Sequence, residues 1–253
     1  MGAALGAYGP LCSLFYDADK PLADDAEVAW YRHHLPTDAG LALEVMCGSG
    51  RLLVPLVAEG VKVHGTDASA AMLSNCEARL ADAGLVAPLF RQDARELNLP
   101  FRYAGAFIAA GSFQLFEKSL DAMAVLERVR AHLVDPGVLL LDAFIPAGSV
   151  QRLAAPLVEL RTVKLADGTR IALRSESTCI AEARLLRYQN RYVHRRGTQL
   201  LAEEHEALTI TWYPPDELAD LVRASGFRDV KVVPSAPDLD GDGDEKFVVS
   251  ARS

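Results

Sequence analysis

The four cysteines, Cys12, Cys47, Cys76 and Cys179, form no CxxC pair and no zinc spacing, which excludes a disulfide framework and a structural zinc site. They read as free thiols of a reducing cytosol, so a cytoplasmic protein without a metal is expected. Basic charge is also scarce: the net charge of -8 opposes nucleic acid as the main partner, because phosphate binding needs a concentrated basic surface. No stretch approaches ~20 uninterrupted apolar residues, and the first twenty residues lack a basic region and a continuous apolar one. Neither membrane spanning nor secretion is expected. Met1-Gly2 is not followed by the Ser or Thr that myristoylation wants.

Half of the 253 residues are apolar and 24% are charged, and the length is enough for one large α/β domain with an insertion or for two small domains. The stretch Leu41 to Asp67, LALEVMCGSGRLLVPLVAEGVKVHGTD, is the most informative. A short apolar run ends at Cys47-Gly48-Ser49-Gly50, as a buried parallel strand meets a turn that needs close backbone approach. Leu52, Leu53, Leu56 and Val57 then recur at helical spacing, so that exposed amides of the first turn face a ligand. A second strand ends in Asp67, about 20 residues after the turn, where a doubly wound sheet places an acceptor for ribose hydroxyls.

Two details separate this stretch from the dinucleotide fingerprint. Leu53 stands where that fingerprint has its third glycine, and Glu44 places an acid inside the apolar strand, which is costly unless something satisfies it. The pattern E-x-x-x-G-x-G, from Glu44 to Gly50, together with Asp67, resembles the class I S-adenosylmethionine-dependent methyltransferases of small-molecule type. That resemblance implies S-adenosyl-L-methionine as cofactor, S-adenosyl-L-homocysteine as product, and Glu44 near the ammonium and sulfonium end. It assigns Cys47, Gly48 and Gly50 to the turn, Asp67 and Ala68 to the ribose end, and Met72 to the adenine face. Asp93 and Ala94 in RQDARELNLP would meet the adenine edge, and Ala110 in FIAAGSFQLF would line the methyl-transfer site. Plainer roles compete: Asp67 as a helix N-cap, Asp93 as a loop residue, Met72 as core.

Tyr16-Asp17 resembles the pair that such enzymes place ahead of the domain, in a segment that folds over the cofactor. Trp30, with Tyr31 on a helix, would help to enclose the methionine end, or would belong to an ordinary aromatic stripe. Weak catalytic candidates are His33, His34, Gln114 and Tyr192, and no compelling base stands out.

After the first βαβ unit, strands and helices continue to alternate. A helix follows Ser69 to Gly84, with strands at Val86 to Phe90, Phe107 to Ala110 and Val138 to Phe144, and a helix over Leu120 to Leu133 ended by Asp135-Pro136-Gly137. This predicts a doubly wound, mainly parallel, Rossmann-like seven-stranded sheet with its strand ends on one crevice. The rhythm changes after Pro146. Four extended runs, Leu157 to Leu165, Arg170 to Ile180, Leu185 to His194 and Gln199 to Trp212, are joined by turn signals at Asp167-Gly168 and Arg196-Gly197. They predict an antiparallel lid. The domain reading is therefore 1–145 and 213–253 for the cofactor domain, with a cap segment over about 1–38, and 146–212 for the inserted lid or substrate region. Alternation sets Tyr188, Asn190, Tyr192 and His194 apart from Arg187, Gln189, Arg191 and Arg195, so that one lid face would contribute to a substrate pocket while the arginines are expected to pair with Glu203, Glu204 and Glu206. Asp238 to Glu245 resembles the opening of a calcium loop, but Val249 occupies the position that needs a bidentate acid, which favours a solvated acidic hairpin.

The expected reaction is in-line methyl transfer to an oxygen or a nitrogen of a small molecule. An oxygen nucleophile would need a general base, whereas a neutral amine needs only to arrive unprotonated. A non-catalytic S-adenosylmethionine-binding sensor or assembly protein, and a nicotinamide-dependent oxidoreductase, are the rival readings. Exposed lid strands would allow a homodimer.

Overall fold

The computed structural model describes residues 8–20, 22–36, 38, 40–146, 156–236 and 244–253. The acidic segment from Asp238 falls largely in 237–243, outside the described residues. Two helices come first, α1 (Pro10–Asp19) and α2 (Asp25–His34). Then β1 (Ala42–Val45), α3 (Leu53–Ala58), β2 (Val63–Asp67), α4 (Ala70–Asp82), β3 (Leu89–Arg91), β4 (Tyr103–Ile108), α5 (Ser119–His132) and β5 (Leu133–Ile145) alternate as the apolar pattern demands. An antiparallel block follows, β6 (Leu157–Lys164), β7 (Arg170–Ile180), β8 (Leu185–Arg196) and β9 (Gln199–Thr211), and α6 (Pro215–Ala224), β10 (Arg228–Pro234) and β11 (Glu245–Arg252) close the chain.

The main sheet has seven strands in the order β10-β11-β5-β4-β1-β2-β3. Strands β1 to β5 run parallel, while β11 is antiparallel to β5 and to β10. The order reverses beside β1, so the carboxyl ends of β1 and β4 flank a topological switch point, where open α/β sheets bind ligands. Every residue of β1 and β4 is buried, as expected of central parallel strands. The Rossmann-like fold with an added antiparallel sheet is thus the one that the strand and helix periodicities predict.

Three boundaries differ from expectation, each for a local reason. Strand β3 starts at Leu89, because Val86 is 89% exposed and Pro88 has no N–H to give to a ladder. Strand β4 begins four residues early, at Tyr103; its Gly105 is packed so tightly that an added Cβ would lie 2.9 Å from Pro36 Cδ. Strand β5 begins at Leu133, and Asp135-Pro136-Gly137 becomes an irregularity within it, where the pairing with β4 shifts register between Tyr103 and Gly105.

Helix α1 joins the two sheets. Leu11, Cys12 and Phe15 pack with Val163, Ile171, Leu173 and Tyr192 of the four-stranded sheet. Both Glu204 oxygens accept from the first turn of α1, at 3.0 Å each from Leu11 N and Cys12 N, which satisfies orphan amides with a charge suited to that helix end. On its other side α1 is fixed to α4: Asn75 donates to Asp17 Oδ2 at 2.7 Å, and Arg79 pairs with Asp17 at 3.1 Å.

Candidate functional site

The carboxyl ends of β1, β2 and β4, closed from above by the segment before α1, enclose a cavity of about 350 Å³. Tyr16, Glu44, Cys47, Gly48, Asp67, Ala68, Met72, Asp93, Ala94 and Ala110 line it, so ten positions singled out in the sequence meet at one crevice.

The turn after β1 is held by its own backbone. Gly50 N donates to Cys47 O at 3.0 Å, and Gly48 and Gly50 adopt φ of +54° and +79°, which suit glycine. Met46 has φ of +62°, an unusual conformation for a side-chain-bearing residue, at the cavity wall. Gly50 itself does not line the cavity: a Cβ there would lie 2.5 Å from Cys76 Sγ, so its smallness serves the packing of the turn on α4.

Glu44 is 3% exposed, and its Oε2 has no hydrogen-bond partner among the described residues. Burial pushes its carboxyl well above the usual carboxylate range. Arg51, the nearby cation, is instead engaged by both oxygens of Glu27. An acid left without a partner at a cavity wall is a binding feature in search of a donor or cation.

Asp67 is oriented from two directions. Its Oδ2 accepts from Gly48 N at 2.9 Å and its Oδ1 from Ser69 N at 2.8 Å, and burial raises its carboxyl above the ordinary value. The N-cap role weighed for Asp67 belongs to Ser69, whose side chain accepts from Met72 N at 3.2 Å. Ser69 Oγ also donates to Tyr8 O at 2.7 Å, drawing the N-terminal segment over the cavity.

At the opposite end, Asp93 is held by Arg95, whose guanidinium donates to both carboxylate oxygens at 3.0 and 2.6 Å. That contact lowers the Asp93 carboxyl below its ordinary value. Its anionic edge therefore has little spare capacity, and Ala94, buried in the adjoining 3-10 turn, offers backbone instead.

The other candidates stand elsewhere. Trp30 stacks on His34 at 4.0 Å and meets Tyr31 edge-on, His33 is exposed, and His34 Nδ1 lies 2.8 Å from Trp30 O; none of these three lines the cavity. Gln114 is fully buried and saturated, donating to Phe144 O and Thr211 O and accepting from Phe144 N. It fastens the loop after β4 to both sheets. Tyr192 lines a second cavity instead. Among the acids of β9, Glu203 pairs with Arg191 as the alternation implies, but Glu204 caps α1 and Glu206 is buried, because these two share the face turned toward α1.

Three further residues were not singled out in the sequence. Tyr8 closes the cavity from a segment without periodicity, and Arg51 follows the glycine turn unremarkably. Asp142, in β5, accepts from Ala110 N at 2.9 Å behind the cavity wall, and burial raises its carboxyl to about 7.

Residues 42–137 match the family model described as a methyltransferase domain. Over 87% of this chain and 81% of the other, the sequence is 28% identical to a dTDP-3-amino-3,6-dideoxy-alpha-D-glucopyranose N,N-dimethyltransferase of Streptomyces fradiae. It is also 28% identical to the cypemycin N-terminal methyltransferase of a Streptomyces species, over 47% of this chain and about half, 48%, of that protein. In fold, the sugar N-methyltransferase KedS8 of a Streptoalloteichus species superposes with a TM-score of 0.74 at 22% identity, covering 100% of this chain and 96% of that one. The glycine turn, the unpartnered acid and the ordered Asp67 thus meet at one switch point of a chain that is similar over residues 42–137 to a methyltransferase domain and, in fold, to solved S-adenosylmethionine-dependent methyltransferases.

Proposed function

We propose that this enzyme methylates the amine of a small amino sugar. The span of the likeness to the amino-sugar dimethyltransferase, 87% of this chain and so inclusive of the four-stranded sheet, carries the choice of acceptor. The chemistry of the first cavity supports it. Among the described residues lining that cavity, the titratable groups are tyrosines, carboxylates, arginines and the thiol of Cys47, whose hydrogen bond with Cys76 and burial push its pKa up. Burial raises the pKa of both Tyr8 and Tyr16, so their phenols stay protonated and serve as hydrogen-bonding walls, not bases. A hydroxyl acceptor would need a base to take its proton as the bond forms; an unprotonated amine already presents its lone pair.

The residues present suit S-adenosylmethionine. Glu44 would hold the ammonium and stand near the sulfonium, which accounts for a carboxylate otherwise left without a partner. Asp67 retains lone pairs for the two ribose hydroxyls after accepting from Gly48 and Ser69. Met72 would pack on the adenine face, with the Ala94 backbone at its edge, while Asp93 acts by holding Arg95. The bound cofactor supplies an electrophilic methyl group on a good leaving group. What remains for the chain is to position the amine in line, exclude water and keep the walls neutral. Tyr8, Tyr16, Leu115 and Phe116 would form the wall on the acceptor's side, and the inserted sheet, residues 156–212, would cover it. The free thiols fit a cytoplasmic setting.

The test is mass spectrometry of dTDP-3-amino-3,6-dideoxyglucose and its 3-hydroxy analogue after incubation with S-adenosylmethionine. One or two added methyl groups are expected on the amine and none on the hydroxyl analogue. Methylation of the hydroxyl analogue, or no transfer to the amine, would overturn the amino-sugar reading.

A further inference from the structure

A second cavity, of about 740 Å³, lies between α1 and the inner face of the four-stranded sheet. Tyr8 and Tyr16 belong to the walls of both cavities, so the two spaces are neighbours across this pair of phenols. Glu206, on β9, is 8% exposed at the floor of the second cavity. Its Oε2 accepts from Asn190 Nδ2 at 3.1 Å and Tyr192 OH at 3.3 Å, with Cys12 Sγ at 3.6 Å. Its Oε1 is buried without a hydrogen-bond partner among the described residues, and so is Asn190 Oδ1 beside it. Two neighbouring acceptors without donors define what is missing: a group bearing N–H or O–H. Beside them stands Tyr188, a half-buried ring that suits the C–H face of a sugar, while Phe15 packs on Tyr192 and carries the Arg161 guanidinium 5.4 Å from its centroid.

We infer that this chamber is the recognition site for the body of the acceptor, with Glu206 and Asn190 taking hydrogen bonds from its hydroxyl or amino groups while the methylated amine reaches past Tyr8 and Tyr16. The inference rests on the amino-sugar reading for the ligand's class and on the chamber's own geometry for its place. Glu206 is a positioning residue: it fixes the acceptor and takes no part in bond making. Asp19 and Arg161, also at the chamber, pair with each other at 2.6 Å, and Lys20, Glu159 and Ser175 line it too, but the buried acceptors without a donor there are those of Glu206 and Asn190.

Two measurements test this independently of one another. In Glu206→Gln, KM for dTDP-3-amino-3,6-dideoxyglucose is expected to rise at least tenfold with kcat within threefold, while S-adenosylhomocysteine binding stays within twofold. An unchanged KM overturns the role of Glu206. Separately, the thiol introduced by Leu208→Cys, at the chamber wall, is alkylated with and without the same amino-sugar nucleotide in the presence of S-adenosylhomocysteine, and read by peptide mass spectrometry. Slowing of alkylation by fivefold or more supports the chamber, and no slowing overturns it. Protection without methyl transfer by the wild type would sink the amino-sugar reaction and leave the chamber standing; transfer without protection would do the reverse.

Discussion

The amide of Gly48 donates to Asp67 Oδ2 at 2.9 Å, tying the glycine turn after β1 to the carboxylate at the end of β2. Because Ser69 N holds the other oxygen, the carboxylate is fixed before any ligand arrives. Such preorganisation removes an ordering cost from binding. Asp67→Ala is expected to weaken S-adenosylhomocysteine binding by about 10- to 100-fold, corresponding to about 1.4 to 2.7 kcal/mol. Calorimetric titration would show this, and affinity within twofold of wild type would rule out the proposed ribose role.

Glu44 sets stability against binding. A buried carboxyl with an orphaned oxygen costs free energy in the protein alone. Glu44→Gln removes the ionisable group at almost constant volume, so the unliganded protein should melt a few degrees higher at pH 8. S-adenosylmethionine affinity should fall at least tenfold in the same variant. Thermal denaturation with and without ligand reads both effects; a variant that loses stability and keeps affinity contradicts the assignment.

How far these residues were legible beforehand differs by type. Glu44, Gly48 and Asp67 could be read because the glycine turn and the strand ends fix their spacing along the chain, whatever the rest of the fold does. The strands of the four-stranded sheet were legible from alternation and turn signals, nearly to the residue. Alternation sets Asn190 on a face open to a substrate pocket, but it does not join Asn190 to Tyr8 and Glu206, because these meet only after α1 docks between α4 and the four-stranded sheet, and no local period encodes that docking. His33, His34 and Trp30 misled for the complementary reason: their residue types suggest catalysis or enclosure, but they satisfy one another on α2.

Asp142 should give the protein a pH dependence of defined sign. Burial raises its folded pKa to about 7, above the unfolded carboxylate value, so the folded state binds its proton more tightly. Its contribution is fully present below about pH 4 and is lost as pH rises through about 7. Asp142→Asn keeps an oxygen to accept from Ala110 N and removes the titration. Urea denaturation at pH 5.5 and pH 8 should show a smaller loss of stability in the variant, by up to about 2 kcal/mol. Equal losses in both proteins would show that Asp142 does not control this window.

Gly50 tests the turn without touching the cavity. Its φ of +79° disfavours any side chain, and an added Cβ would meet Cys76 Sγ at 2.5 Å and Val54 Cγ2 at 3.0 Å. Gly50→Ala is therefore expected to cost about 2–4 kcal/mol, combining backbone strain with overpacking. Adding Cys76→Ala opens room for the methyl group but leaves the backbone strain, so the double variant should recover only part of that loss beyond the cost of Cys76→Ala alone. A double-mutant cycle by chemical denaturation separates the two contributions. Coupling energy near zero would show that the turn yields without pressing on α4, and full recovery would show that the positive φ carries no cost.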